Sequence, residues 1–321
     1  MDASQEIAKL SRTQSRLIEA SVDIRQNRPT NIDYLHTVQC QCGLPYRNPG
    51  DEIREWTRKQ GFASMRIEAG SAIDPRTGDF VKLGLPFGAK PRLVLIHLAS
   101  EAIRTGSPVV DVEDSMTAFA RSIGLDTGGA QLRELKDQLS KLAAATVRFG
   151  MVDGNRAVQI NTQLVTAFDL WYPDDPLQRT LWPSSVRLGT EFFDSLQNHA
   201  VPLDHRAVGA IAHSSMALDI YAWLAQRLHR VPAGKSQLVP WVCLHEQFGQ
   251  GYARIRDFRR AFTDTLRQVR VIYPNAQIDE SEQGLHLWTS RPPIPPRTTV
   301  VIPAAKRDST PAQKNVDNSV G

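Results

Sequence analysis

One order of elements can be read twice along the chain, and it restricts the fold more than any single motif does. The first copy opens at Lys90-Pro91-Arg92, where Pro91 suits a helix's first turn because its missing N–H would find no partner there. Leu93, Ile96, Ala99 and Ile103 recur at helical spacing, and Gly106-Ser107-Pro108 stops the helix. Val109-Val110-Asp111-Val112 follows as a short strand, and Ser115 to Ile123 as a second helix ended by Gly124. A third helix runs from about Ala130 to Ala145 on Leu132, Leu135, Leu139 and Leu142. Two strands, at Thr146 to Phe149 and Arg156 to Ile160, then flank the turn Val152-Asp153-Gly154-Asn155.

The second copy starts near Asp204. Met216, Ile220, Trp223, Leu224 and Leu228 mark one amphipathic helix, and Ser236 to Val239 a strand. Trp241 to Phe248 forms a helix ended by Gly249, and a long helix covers Tyr252 to Val271. A hairpin pairs Gln277-Ile278-Asp279 with Leu285 to Trp288 across Glu282-Gln283-Gly284. Helix, strand, helix, helix, hairpin is the order of a winged helix-turn-helix. The expected class is therefore α+β, two winged helix-turn-helix domains in tandem with flexible termini.

Four segments follow from this reading. Residues 1–40 form a partly helical arm, with Ile7, Leu10, Leu17 and Ile18 on one side, that suits a mobile leader or a partner-binding arm. Residues 41–185 are the first winged-helix domain and 186–291 the second, the main DNA reader. Between the two patterns lie a turn at Tyr172-Pro173-Asp174-Asp175-Pro176, a strand at Val186 to Leu188 and a short helix from Thr190 to Gln197. Residues 292–321 hold Pro292, Pro293, Pro295, Pro296, Pro303 and Pro311 and read as an extended, disordered tail.

The long helix of the second copy is the most informative segment. At about 100° per residue, Ile255, Phe258, Phe262, Leu266 and Val269 gather in one stripe. Arg256, Arg259, Arg260, Thr263, Arg267 and Arg270 fall on a neighbouring arc, with Arg254 just ahead of the helix, and Asp257 and Asp264 lie on the next arc round. A row of guanidinium groups without acids among them repels itself in isolation and matches the phosphates beside a major groove, with forks free for guanine edges. The third helix of the first copy is weaker. Arg133, Lys136 and Ser140 share an arc with Asp137 beside them, which suits backbone or protein contacts, or an ordinary solvated face.

Charge allows this partner without requiring it: 38 basic against 34 acidic residues give +4. No apolar run is long enough to span a bilayer, and Met1-Asp2-Ala3-Ser4-Gln5-Glu6 lacks the apolar core of a secretory signal. With only Cys40, Cys42 and Cys243, no disulfide framework is indicated, and the expected location is the cytoplasm.

The run Leu85-Pro86-Phe87-Gly88-Ala89-Lys90-Pro91-Arg92-Leu93, followed by Ser100-Glu101-Ala102-Ile103-Arg104, resembles the plasmid-encoded RepA family of replication initiators. So do Ser115-Met116-Thr117-Ala118-Phe119 leading to Gly124-Leu125-Asp126-Thr127-Gly128-Gly129, and Ser214-Ser215-Met216-Ala217-Leu218-Asp219-Ile220-Tyr221-Ala222-Trp223-Leu224-Ala225. Leu44-Pro45-Tyr46-Arg47 and Arg58-Lys59-Gln60-Gly61 are similar as well, so the resemblance runs from about residue 40 to 290. It departs at His97, where family members continue an aliphatic run. The resemblance implies a plasmid protein that binds repeated origin sequences in double-stranded DNA, helps to open the duplex, and brings in host initiator and helicase proteins. It also implies monomers on the origin and a homodimer that represses the protein's own gene. Two other readings stay open: a winged-helix transcriptional regulator, and a protein–protein adaptor that does not touch DNA.

Enzyme chemistry finds no support, and no cofactor or metal is expected. A rolling-circle initiator needs His-x-His, a tyrosine recombinase His-x-x-Arg, and a P-loop ATPase Gly-x-x-x-x-Gly-Lys-Ser/Thr; none occurs. His36, Cys40 and Cys42, with Cys243 and His245 far away, have the wrong spacing for structural zinc. Trp223 and Trp288 are expected in the core rather than as base-stacking platforms, and Trp182 and Trp241 carry no sharper expectation. His199, His205 and His213 are expected as polar surface or satisfied core groups.

Overall fold

The computed structural model describes residues 11–295, apart from 75–76, 114, 154–155, 164 and 168–184. The chain begins with helix α1 (Arg12–Gln26), opened by a reciprocal cap. The Ser11 hydroxyl accepts from the Gln14 N–H at 3.3 Å, and the Gln14 side chain accepts from the Ser11 N–H at 2.9 Å. Strand β1 (Ile32–His36), the hairpin β2 (Glu55–Gln60) and β3 (Ala63–Glu68), and the small hairpin β4 (Ser71–Ile73) and β5 (Phe80–Lys82) follow.

The first copy of the repeated order then appears. Helix α2 (Ala89–Thr105) ends at Gly106, whose φ of 67° is the left-handed conformation that glycine adopts without a steric penalty. Strand β6 (Val109–Asp111), helix α3 (Met116–Ser122), helix α4 (Gly129–Ala144) and the strands β7 (Thr146–Asp153) and β8 (Arg156–Gln163) complete it. Strands β9 (Val165–Ala167) and β10 (Ser185–Leu188), helix α5 (Thr190–His199), strand β11 (Ala200–Asp204) and helix α6 (His205–Ala210) lead to the second copy. That copy is helix α7 (Ser215–Arg227), strand β12 (Gln237–Pro240), helix α8 (Trp241–Phe248), helix α9 (Ile255–Ile272) and strands β13 (Ile278–Glu280) and β14 (Gly284–Leu287). The chain is α+β.

Sheet topology separates the two copies. In the second, β12 pairs with β14 and β14 with β13, so the strand before the helix pair joins the hairpin after it. In the first, β6 pairs instead with β10, which also holds β9. The β7–β8 hairpin extends β2 and β3 into a four-stranded antiparallel sheet ordered β2-β3-β7-β8. The physical reason is apolar matching: buried Met65 and Ile67 of β3 lie opposite buried Phe149 and Val147 of β7.

The amino-terminal segment does not behave as a free arm over the described residues. α1 packs against α6 and α9, and Arg206 clamps its last turn by donating to the Asp23 carboxylate at 2.8 Å and to the carbonyls of Asp23 and Asn27. Leu17 is buried, but Ile18, expected on the same side, is exposed. Neighbouring positions on a helix diverge by 100°, and α1 seats only a narrow stripe. β1 pairs with β11 in antiparallel register from Ile32↔Asp204 to His36↔Ala200, so residues 12–36 are tied to 200–210. Ile7, Leu10, the 172–176 turn, Trp182 and residues 296–321 of the expected tail lie outside the described residues. Ile294, inside that expected tail, is buried, and Tyr273 Oη donates to the carbonyl of Arg291 at 3.0 Å.

Two buried polar groups brace the centre. Arg92 of α2 is charge-paired to Asp219 of α7 through Nε to Oδ1 at 2.7 Å and Nη2 to Oδ2 at 2.8 Å, and it donates to the carbonyls of Leu44 and Gly88 at 2.6 and 2.7 Å. One guanidinium thus joins the loop after β1, the first copy and the second.

The other group is His36. Its Nδ1 accepts from the Val38 N–H at 3.2 Å, which leaves Nε2 to carry the proton and donate to Ser195 Oγ at 3.0 Å, while the ring stacks on Phe149. Burial, with a smaller push from His199, lowers its pKa to about 3. The unfolded chain takes up a proton near pH 6.5 that the folded chain refuses until about pH 3. His36 therefore costs nothing above pH 6.5 and destabilises the fold progressively below it, at about 1.4 kcal/mol per pH unit. Urea unfolding at pH 7 and pH 5 is expected to show this slope, and His36→Gln to flatten it. Equal slopes in the two proteins would put the acid sensitivity elsewhere.

Candidate nucleic-acid interface

The second copy is built on an aromatic core. Ring centroids lie 5.4 Å apart for Trp223–Phe248, 5.5 Å for Phe248–Phe262 and 5.4 Å for Phe258–Phe262. Phe258, Phe262, Leu266, Val269 and Ile272 form the buried stripe of α9. Ile255, expected in that stripe, is 43% exposed instead, because the helix begins there and its first turn overhangs the core. The helix also starts three residues later than the periodicity suggested, with Arg254 as its N-cap.

The basic residues of α9 and its N-cap divide into three kinds. Arg254, Arg256, Arg260 and Arg270 are exposed, and none is paired with a carboxylate among the described residues. Arg267 is exposed and reaches Asp264 of its own helix at 2.8 Å, an exposed pair worth only about 0.3–0.5 kcal/mol that an incoming phosphate can displace. Arg259 is half-buried and does something else: its guanidinium lies 4.8 Å from the Trp241 ring centroid and donates to the Ser281 carbonyl at 3.2 Å. Thr263 donates to Glu280 at 3.1 Å. Arg259 and Thr263, grouped with the others by periodicity, thus fasten the hairpin to the helix.

The hairpin is held from a second direction. Trp241 donates through Nε1 to the Ser281 carbonyl and through its backbone N–H to the Gln283 carbonyl, both at 3.0 Å. Gly284 permits this closeness, since a Cβ there would lie 2.1 Å from the Val239 carbonyl oxygen. Helix α9 and residues 281–283 therefore hold a fixed relation to one another.

The first copy offers less. Arg133 of α4 is exposed and Lys136 is half-buried, but Ser140, expected beside them, is buried. Glu134 is ion-paired with Lys90, and Lys141 with Asp137 at 2.7 Å, so acids and bases alternate there. Cys40 and Cys42 sit in the core, and Cys243 is half-buried against it. Burial raises the pKa of Cys40 well above its ordinary value and that of Cys42 to about 12, which keeps both thiols protonated at neutral pH. Trp223 and Trp241 are buried, and Trp288 donates to Asp279 at 2.7 Å. Sequence reasoning missed the Arg92–Asp219 pair and the β2–β3 hairpin; both partners of the pair stand in motif segments, but nothing local joins positions so far apart.

The molecule so described is an α+β chain with a helix that presents unpaired guanidinium groups beside a pinned hairpin. Residues 85–242 match the family model described as plasmid encoded RepA protein. Two solved structures are similar in part. A selenomethionine form of domains 2 and 3 of RctB shares 12% identity, with 77% of this chain and 86% of that chain covered and a TM-score of 0.46. A second structure of RctB domains 2–3 shares 10% identity, with 78% and 94% covered and a TM-score of 0.48. No curated protein matches the chain significantly. Among the described residues, no helix is long and apolar enough to cross a membrane.

Proposed function

We propose that the chain is a plasmid replication initiator that binds duplex DNA at its origin through a winged-helix unit spanning α7 to β14. In this reading α9 enters the major groove, and the hairpin around Glu282-Gln283-Gly284 lies along the adjoining backbone. The observation that carries it is the set Arg254, Arg256, Arg260 and Arg270: four exposed guanidinium groups, one at the N-cap and three on the helix, with no carboxylate partner among the described residues. Arg267 joins them once it leaves Asp264. The family match supplies the plasmid setting, and the β12-β14-β13 sheet supports the winged-helix reading of this unit. The first copy, a more divergent winged helix, contributes phosphate contacts through Arg133 and Lys136 and contacts with host replication proteins. The protein acts by binding rather than by catalysis, in the cytoplasm.

The test is a titration against DNA flanking the protein's own gene, at several salt concentrations. About five neutralised phosphates give a slope of log K against log salt on the order of −4. Footprinting is expected to show several directly repeated sites; one palindrome would favour a dimeric regulator, and affinity independent of salt would leave DNA without a role.

A further inference from the structure

A cleft of about 800 Å³ opens where four elements meet: the tip of the β2–β3 hairpin, the end of β7, and the carboxy-terminal ends of α5 and α7. Its volume is in the range of pockets that hold small organic ligands. Its charge is one-sided, because Arg227 and Arg230 line it and no Asp or Glu among the described residues does. Arg227 Nε is buried without a hydrogen-bond partner, and its guanidinium, 5.7 Å from the Trp223 ring centroid, has no carboxylate within ion-pair distance among the described residues. Burial pushes this guanidinium below its ordinary range, a cost that an entering anion would relieve.

The remaining lining narrows the anion. Phe62, at the hairpin tip, is 75% exposed and offers a free aromatic face. Gln60, Asn198 and Gln237 contribute side-chain amides that both donate and accept. A plain carboxylate or phosphate uses only the arginines. A ligand with a phosphate, a flat ring and mixed hydrogen-bonding edges uses all three features.

We infer that this cleft binds a nucleotide, with its phosphate on Arg227 and Arg230 and its base against Phe62. Base–aromatic stacking beside cationic groups is tolerant of base identity, so the ligand is either a free nucleotide or one nucleotide of a single strand. This site is separate from the duplex-reading helix and does not depend on it.

The test uses the full chain carrying Arg256→Ala and Arg260→Ala, so that α9 contributes little to any signal. It is titrated with deoxyadenosine monophosphate, with a ten-residue oligothymidylate and with inorganic phosphate. Binding of the mononucleotide identifies a free nucleotide as ligand, and binding of the oligonucleotide alone identifies a strand; either supports the assignment. Arg230→Gln and Phe62→Ala, both at exposed positions that the fold tolerates, should each weaken that binding at least fivefold. Failure of both nucleotides to bind overturns the proposal. So does binding that neither substitution weakens, or inorganic phosphate competing as well as the mononucleotide.

Discussion

Arg92→Leu is expected to cost the fold about 3–5 kcal/mol, because it strands the Asp219 carboxylate in the interior. Both partners are nearly out of solvent, and the carboxylate packs against Gly43, where a Cβ would come within 2.2 Å of Asp219 Oδ2. The guanidinium also holds the carbonyls of Leu44, Pro45 and Gly88 and lies 5.0 Å from the Tyr46 ring centroid. Burial alone would lower its pKa, but the field and hydrogen bonds of Asp219 outweigh that and raise it, so the pair stays ionised. Small domains have about 5–15 kcal/mol to lose in total. Urea unfolding of Arg92→Leu should therefore shift far toward lower denaturant, whereas Arg92→Leu with Asp219→Leu should recover part of the loss, since two apolar groups leave no charge unpaired. A single variant as stable as the parent would show that the pair is not the brace described.

Much of the helical layer is legible in the sequence, because helix boundaries leave local marks. Gly106 and Gly124 stop their helices at positive φ, Ser115 and Ser214 cap theirs, and Phe258, Phe262, Leu266 and Val269 repeat at the period of a helix that seats one face. What escapes is whatever depends on distant partners. Strand β3 alternates apolar Ala63, Met65 and Ile67 with polar residues, but β2 is mostly charged and polar, and the hairpin's purpose as a platform for β7 shows only in the pairing of Met65 with Phe149. Nothing local tells β6 to choose β10. A helical wheel has no ends, so it places Ile255 in the core, while the real helix starts there and leaves it over solvent. The same limit applies to the candidate interface. Periodicity groups Arg259 and Thr263 with the free arginines, but only the fold reveals that Ser281 and Glu280 occupy them.

That division among the arginines predicts different phenotypes from substitutions a few residues apart. Arg256→Ala with Arg260→Ala removes two exposed, unpaired forks and leaves the buried stripe of α9 untouched. The loss expected is about 1–3 kcal/mol per fork that reads a base, roughly 5- to 150-fold in origin affinity for each, with weakened preference for the repeat over random duplex. Arg267→Ala removes a group already half-satisfied by Asp264, so it should weaken specific and random duplex alike and reduce the salt slope by about one. Arg259→Ala is different again. It removes one of the two donors to the Ser281 carbonyl and bares Trp241, so the hairpin loosens from the helix and affinity falls through lost preorganisation rather than a lost fork. Hydrogen exchange at residues 278–287 distinguishes this last case, since protection there should drop in Arg259→Ala and hold in the other variants. If the Arg256→Ala/Arg260→Ala protein keeps its circular dichroism and binds the origin as the parent does, α9 is not the element that faces DNA.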